Sequence, residues 1–393
     1  MNQIHLWQEE AIATDEFITL SATIEFPQQP RKLLWYRIPR KYGSYLTQSC
    51  DPFVIATLFM AMNQAADLVV HSTVSPSLLS HLEEFQTAWS CWRSTKYHTI
   101  AIQAETEQEQ QKANAEERAI TAFSGGVDSC YTVLSHRRGI GRKHQRNLKT
   151  GMIVHGFDIP LKQTDSFDKA VANARNMLSS MEMDLIPVAT NFRQVVKLDW
   201  EDVFGTAIAS CLMLFQNYYT TGLIPSSHSY YDVDFRYGSN PLTDSLLSSQ
   251  SFEIVHDGIE SRREKKIQHI STWDEASHHL RVCWEGAEKY RNCGQCEKCI
   301  RDILNFRVVG IDAPSCFDRT VTNQEIRSIR VRHAQLDALK DVLQAAQQAN
   351  ISDSWVQALE QAIRRNQFIQ FLQSCIPDSL KQPLKQLRSA IKN

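Results

Sequence analysis

The sequence predicts an α/β fold in which a parallel sheet carries an anion-binding turn. From Ala119 onward, short β-prone apolar runs alternate with stretches of helical periodicity, which is the pattern of strand–helix–strand units. The first run, residues 119–123, leads directly into Ser124-Gly125-Gly126-Val127-Asp128-Ser129 and then into a helix-forming stretch. Right-handed crossovers place the loops that follow parallel strands on one edge of the sheet, where ligands bind. We therefore expect a doubly wound parallel sheet with its ligand site at that edge.

Length and composition predict a folded protein of several units. The chain has 393 residues, enough for two or three units, and 42% of them are hydrophobic. Its 42 lysines and arginines against 44 aspartates and glutamates give a net charge of −2, so nucleic acid is not the expected partner. The first residues do not resemble a signal peptide, and no apolar run is long enough to span a bilayer. A cytoplasmic protein without a membrane partner is expected.

Changes in composition predict four segments. Residues 1–104 are expected to form an α+β module, and residues 105–118, rich in Glu, Gln and Lys, a linker. Residues 119–318 are expected to hold the parallel sheet and a cysteine cluster. Residues 319–393 have helical spacing and are expected to pack on the core or on a second copy in a homodimer.

Individual elements follow from periodicity and turn residues. The predicted strands are Phe17–Phe26, Lys32–Ile38, Leu68–Ser72, Tyr97–Ile102, Gly151–Phe157, Asp184–Ala189, Thr221–Pro225 and Phe252–Val255. The predicted helices are Pro52–Ala65 after a capping Asp51, Ser77–Trp92, Ser166–Met181, Phe204–Tyr218, Gln324–Gln348, Ser354–Ser374 and Ser379–Lys392. The stretch Val196–Asp202 has no clear pattern.

The turn at 124–129 has the chemistry of a pyrophosphate site. Two glycines allow a sharp turn and a close approach of the backbone to a ligand. The start of the following helix presents N–H groups and the positive end of its dipole, which favour an anion. The hydroxyls of Ser124 and Ser129 add donors. A phosphate would repel the carboxylate of Asp128, so a bound Mg²⁺ is the natural reason for its presence.

Further site residues are predicted on the same edge of the sheet. The loop at 155–158 and the loop Ser226-Ser227-His228 follow later strands and should converge on the glycine turn. A basic turn contains Arg262, Lys265 and Lys266, and one of these side chains could neutralise charge on a leaving pyrophosphate. His228 and Asp244 are weaker candidates for contacts with the substrate.

Four cysteines have the spacing of a metal site. Cys293, Cys296 and Cys299 form two overlapping C-x-x-C steps, and Cys283 lies ten residues upstream. Four thiolates can close a tetrahedron around Zn²⁺ and leave no open coordination position, so such a metal would be structural. An iron–sulfur cluster uses the same ligands, and the spacing leaves both metals open.

The turn resembles the SGGxDS signature of the ATP pyrophosphatases, the PP-loop family. No lysine follows the glycines, so the commoner phosphate loop is excluded. The resemblance implies cleavage of ATP between the α and β phosphates, with adenylation of a substrate oxygen. It also implies that Gly125, Gly126 and Val127 contribute to the ATP site and that His155 and Phe157 lie at the adenine.

The PP-loop turn followed by the cysteine spacing is similar to the 7-cyano-7-deazaguanine synthase (QueC) family. That resemblance covers about residues 119–310 and implies a structural zinc and 7-carboxy-7-deazaguanine as the substrate. Two loops depart from the family: Pro225-Ser226-Ser227-His228 replaces a Pro-Gly-Arg-Asn loop, and residues 238–244 replace an acidic Cys-Arg segment. The long chain looks like the QueC-like proteins of antiphage defence operons (Qat type), which implies a protein amine as acceptor in place of ammonia.

The resulting hypothesis is an adenylating ligase that uses ATP, Mg²⁺ and Zn²⁺ and acts on a deazapurine carboxylate, with ammonia or a co-encoded protein as acceptor. One alternative is a PP-loop enzyme that thiolates tRNA, which would need a catalytic cysteine pair outside the metal site. The other is a non-catalytic nucleotide-binding scaffold. The sequence leaves the acceptor and the role of residues 1–104 open.

Overall fold

The computed structural model describes residues 2–111, 116–141, 144–331 and 333–374, except the side chains of residues 333, 334 and 373. Contacts divide the chain into two compact units, Met1–Arg291 and Asn292–Asn393. The expected helix at Ser379–Lys392 lies outside the described residues. Among the residues described, no helix has both the length and the apolar character needed to cross a membrane.

The first unit is a mixed α/β structure built on one large, mostly parallel sheet. Its strands are β1 (Gln3–Gln8), β2 (Ile12–Ala13), β3 (Phe17–Glu25), β4 (Lys32–Pro39), β5 (Asp67–Val74), β6 (Ile102–Glu107), β7 (Ala119–Ala122), β8 (Leu148–His155), β9 (Asp184–Thr190), β10 (Thr221–Pro225) and β11 (Glu253–Asp257). Its helices are α1 (Asp51–Gln64), α2 (Pro76–Trp92), α3 (Val127–Arg137), α4 (Thr164–Ser179), α5 (Phe192–Val195), α6 (Trp200–Met213), α7 (Arg263–Ile270) and α8 (Asp274–His279).

The strands of residues 119–257 run parallel in the order β9-β8-β7-β10-β11. The chain order therefore proceeds outward from β7 in one direction and from β10 in the other. In parallel sheets the crevice at such a reversal is where ligands bind, because the loops on its two sides diverge. The loops after β7 and β10 begin at Phe123 and Ser226, so the glycine turn and the serine loop flank this position.

The N-terminal strands continue the same sheet. β4 pairs antiparallel with β9 through Tyr36↔Thr190 and Arg37↔Ala189, and the order then runs β4-β3-β1-β5-β6, with β2 on β3. Helix α1 is buried along Asp51–Met62 and packs against α6, so the two halves share one hydrophobic core. Main-chain pairing between β4 and β9 thus joins the N-terminal strands to the parallel strands within one compact unit, a relationship that composition does not indicate.

Most predicted elements of the first unit agree with the observed ones to within a few residues, and two differ. Residues 97–101 are not a strand; the strand begins at Ile102, and Tyr97 is buried with its hydroxyl bonded to Asp202 at 2.8 Å. The helix expected at Phe204–Tyr218 runs from Trp200 to Met213 because Asp199 caps it, its carboxylate accepting from the Glu201 N–H.

The second unit is helical. Its helices are α9 (Glu297–Val308), α10 (Asn323–Ser328), α11 (His333–Gln348) and α12 (Ser354–Ser374). The single helix expected at Gln324–Gln348 is thus two helices. A capping box explains the start of α10, since the Thr322 hydroxyl accepts from the Glu325 N–H while the Glu325 carboxylate accepts from the Thr322 N–H. Helix α12 packs against α10 and α11.

Candidate functional site

The glycine turn makes a sharp connection between β7 and α3. Gly125 has a φ of +73°, a left-handed conformation that other residues adopt only with strain. Gly126 is the N-cap of α3, and its N–H donates to the Ser124 hydroxyl at 3.3 Å. Ser124 is exposed, whereas Ser129 is buried and donates to the Gly126 carbonyl at 3.1 Å. Ser124 is therefore the more accessible of the two serines, and Ser129 stabilises the first turn of α3.

The carboxylate of Asp128 contacts two cationic groups of α7. Its Oδ1 accepts from Lys266 Nζ at 3.1 Å, and its Oδ2 from Arg263 at 3.3 Å. The side chain of Asp128 is 22% exposed and that of Lys266 only 2%. Three charges thus meet beside the glycine turn, and an ion pair this poorly hydrated is retained only where its partners are well oriented.

Helical spacing decides which of the predicted basic residues reach the turn. Lys266 and Arg263 are three residues apart and share one face of α7. Lys265 points away, is exposed and donates to Gln268 at 3.2 Å. Arg262 precedes the helix and lies over the ring of Tyr231 at 3.9 Å. Sequence reasoning named Lys266 but missed Arg263, which the i, i+3 relation on an assigned helix would have indicated.

Lys266 also joins the turn to the loop after β10. Its ammonium donates to the Ser226 carbonyl at 2.7 Å. The predicted substrate residues of this loop have different surroundings. Ser226 is fully buried, Ser227 is exposed, and His228 lies 3.3 Å from Asp232.

Asp244 is fully buried, so it does not face a ligand directly. Its Oδ2 contacts Nδ1 of His256 at 2.8 Å, and Nε2 of His256 contacts the Ser226 hydroxyl at 2.7 Å. His256, at the end of β11, was missed from the sequence because a single histidine on a strand carries no signal of its own.

Burial alone would raise the pKa of Asp232, but hydrogen bonds from His228 and Ser229 lower that pKa to about 2.

The two residues expected at the adenine are packed into the protein. His155 stacks on Phe167 with ring centroids 4.3 Å apart, and its Nε2 lies 3.0 Å from the Pro160 carbonyl. Burial lowers the pKa of His155, and the contact with Pro160 opposes that effect. The ring of Phe157 packs edge to face on Phe192.

Arg281 holds the glycine turn from a distant part of the chain. Its backbone N–H donates to the Gly125 carbonyl at 2.7 Å, and its Nε to the Ser124 carbonyl at 3.2 Å. The guanidinium also lies 3.7 Å from Asp158, at the loop after β8. Arg281 therefore joins two of the three loops that were predicted to converge. No sequence signal indicated it, because Asp158, Gly125 and Ser124 lie 123 to 157 residues from Arg281 in the sequence.

The four predicted metal ligands lie together. The sulfurs of Cys283, Cys293, Cys296 and Cys299 are all within 4.8 Å of one another, and Cys293 and Cys299 are 3.8 Å apart. A tetrahedron with Zn–S distances near 2.3 Å has S···S edges of about 3.8 Å, so the donor set fits Zn²⁺. Backbone N–H groups of Gly286, Gln295 and Cys299 point at these sulfurs from 3.3 to 3.5 Å. The cluster is compatible with zinc binding.

Comparisons with family models, with curated proteins and with solved structures found no match to this chain. The function must therefore be inferred from the chemistry of the site.

Proposed function

We propose that the protein is an ATP-dependent adenylating enzyme with a PP-loop fold, similar to the QueC family. A substrate carboxylate attacks the α phosphate of ATP, giving an acyl adenylate and pyrophosphate. An amine, from ammonia or a protein, then attacks the acyl carbon and releases AMP, so that a C–N bond forms. The substrate that the resemblance implies, 7-carboxy-7-deazaguanine, is the first carboxylate to test.

The observation that carries the proposal is the meeting of the glycine turn with Lys266 and Arg263 where the strand order reverses. Backbone N–H groups at the start of α3 and two cations form a site for a polyanion. The same groups stabilise the negative charge that develops on departing pyrophosphate. No residue has to act as a covalent nucleophile, because ATP already supplies the leaving group.

Asp128 orients the two cations in this structure, and it is also the residue proposed to ligate Mg²⁺ when ATP is present. Bound Mg²⁺ would neutralise phosphate charge and favour an in-line geometry at the α phosphate. The residues fit Mg²⁺, since Asp128 offers a part-exposed carboxylate in the first turn of α3, directly after the glycines. Zn²⁺ in the cysteine cluster would be structural, because four thiolates complete its coordination.

A thiolating PP-loop enzyme is the less favoured alternative. It would need a reactive cysteine pair, and Cys130 and Cys211 are both fully buried. Burial raises the pKa of the Cys211 thiol, which disfavours the thiolate. Cys91 is exposed but lies on α2, outside the loops at the carboxyl ends of the parallel strands.

The test is ATP–pyrophosphate exchange, which detects adenylation without knowledge of the acceptor. The purified protein receives ATP, Mg²⁺, labelled pyrophosphate and 7-carboxy-7-deazaguanine. We expect exchange that requires the carboxylate and that Asp128→Ala lowers at least about 100-fold. Exchange with other carboxylates only would reject the deazapurine. Bound ATP with no exchange for any carboxylate would support the non-catalytic scaffold instead.

A further inference from the structure

A series of hydrogen bonds, linked through the side chain and the carbonyl of Ser226, connects the buried Asp244 to Asp128 at the glycine turn. Asp244 Oδ2 contacts His256 Nδ1 at 2.8 Å, and His256 Nε2 contacts the Ser226 hydroxyl at 2.7 Å. The Ser226 carbonyl then accepts from Lys266 Nζ at 2.7 Å, and Lys266 reaches Asp128 at 3.1 Å. These hydrogen bonds connect β11 to the loop after β10, and that loop to α7 and α3.

Burial makes this arrangement specific. Asp244 and Ser226 have no exposed surface, and the side chain of His256 is 5% exposed. Buried polar and charged groups are costly unless they are hydrogen-bonded, so each member constrains the next. The carboxylate of Asp244 is itself oriented by the Ser239 hydroxyl at 2.6 Å and the Asn240 N–H at 3.1 Å.

The order of contacts resembles that of a Ser–His–Asp nucleophile, but the surroundings of Ser226 argue against that role. A nucleophilic serine needs access to its substrate, and Ser226 is fully buried. Its hydroxyl also donates to the His228 carbonyl at 2.7 Å, and its backbone N–H donates to the Asp257 carbonyl at 2.7 Å. Every polar atom of Ser226 is thus engaged in holding the loop.

We propose that His256 is a positioning residue for Lys266. His256, oriented by Asp244, fixes the loop after β10 so that the Ser226 carbonyl faces the Lys266 ammonium. Within the described part of the chain, Ser226 and Asp128 take two of the three N–H donors of Lys266 and aim the ammonium at the glycine turn. The effect on anion binding rests on the proposed function, whereas the effect on Lys266 itself does not.

Two variants of His256 distinguish the effect of its hydrogen bond to Ser226 from the effect of its side-chain volume. His256→Gln keeps an amide close to the position of Nε2 and can still contact the Ser226 hydroxyl. His256→Leu has a similar size and no polar atom. His81→Gln on α2 is the control for a histidine hydrogen bond elsewhere, because His81 contacts the Ser248 carbonyl at 2.9 Å. Circular dichroism and thermal melts establish that each variant folds.

The first readout is the reactivity of Lys266 toward reductive methylation, measured by mass spectrometry without any ligand. Lys265 is the internal reference, since it is adjacent and exposed. In wild type, Lys266 should react at least tenfold more slowly than Lys265. His256→Leu should reduce that ratio to threefold or less, and His256→Gln and His81→Gln should preserve it. An unchanged ratio in folded His256→Leu would overturn the proposal, as would equal loss in His256→Gln.

The second readout is the affinity for inorganic pyrophosphate by calorimetry. We expect about tenfold weaker binding in His256→Leu and less than threefold change in His256→Gln and His81→Gln. If wild type shows the methylation ratios above but binds neither pyrophosphate nor ATP, the proposed function fails while the positioning role stands. Labelling of Ser226 by a fluorophosphonate would overturn the positioning role in favour of a nucleophile.

Discussion

Lys266 Nζ lies 3.1 Å from Asp128 Oδ1, which joins two residues 138 positions apart in the sequence. The contact connects the first turn of α3, directly after the glycines, with the buried face of α7. A buried lysine ammonium beside a part-exposed carboxylate is unusual in a protein interior, because removing these charges from water carries a large desolvation cost. Such a contact is expected where an anionic ligand later shares the cation.

Lys266 and its neighbour Lys265 should differ sharply in their effect on activity. Lys266→Met keeps the length of the side chain and removes the charge beside the turn. We expect carboxylate-dependent exchange to fall at least about 100-fold, since removal of one preorganised donor to a developing negative charge typically costs about that much. Lys265→Met should stay within about twofold of wild type. Similar losses in both variants would contradict the assignment.

Arg281 should support nucleotide binding through the shape of the turn. Arg281→Met removes the contacts of its guanidinium with the Ser124 carbonyl and Asp158. We expect the KM for ATP to rise about tenfold while kcat changes less, because the loss affects the cradle more than the reaction. Arg138→Met is the control, since Arg138 likewise donates to a backbone carbonyl, that of Thr272 at 3.1 Å. A tenfold rise in the KM for ATP in Arg138→Met as well would contradict a specific role of Arg281 at the turn.

The left-handed conformation of Gly125 should be essential for binding. Gly125→Ala brings a Cβ within 3.1 Å of Met177 Cε and strains the backbone by roughly 1–2 kcal/mol. We expect ATP affinity to drop at least tenfold. Gly310→Ala carries a similar strain at a φ of +85°, with nothing within 4 Å of the new Cβ. Equilibrium unfolding should show comparable destabilisation of both, and calorimetry should show lost ATP binding only in Gly125→Ala.

His155 should make the fold sensitive to acid. Its pKa is lowered in the folded state by burial, so the unfolded chain binds the proton more readily. Stability should therefore decrease as the pH falls below about 6.5 toward the lowered pKa, and it should be unaffected by this group above that range. His155→Gln should show a smaller decrease between pH 8 and pH 5.5 in urea unfolding. An identical decrease in wild type and variant would show that His155 does not contribute.

Loss of one cysteine ligand should remove the metal. We expect elemental analysis to find about one zinc per chain in wild type and none in Cys296→Ser. The free energy of unfolding should decrease by up to about 4 kcal/mol, the contribution of a ligand present far above its dissociation constant. Cys91→Ser, at an exposed free thiol, should keep both metal and stability. Iron with visible absorbance would identify an iron–sulfur cluster instead.

Local signals predicted the parts of the site that lie within short stretches of chain. The turn at 124–129 was recognisable because glycines, serines and an aspartate between a strand and a helix have few other uses. The four cysteines were recognisable because metal ligation requires a characteristic spacing. The sequence favoured Lys265 or Lys266 over Arg262, and only the position of α7 shows that Lys266 is the lysine that contacts Asp128.

Local sequence was enough to predict most of the elements, the glycine turn and the four cysteines that lie together, because each depends on residues that are close in the chain. The folded structure was needed to show that β4 continues the sheet through β9, that Arg281 holds the turn, and that Asp244 reaches Lys266 through His256 and Ser226. These relationships depend on packing and hydrogen bonds between distant segments. Their partners are selected by geometry across the fold, and no local periodicity encodes that geometry.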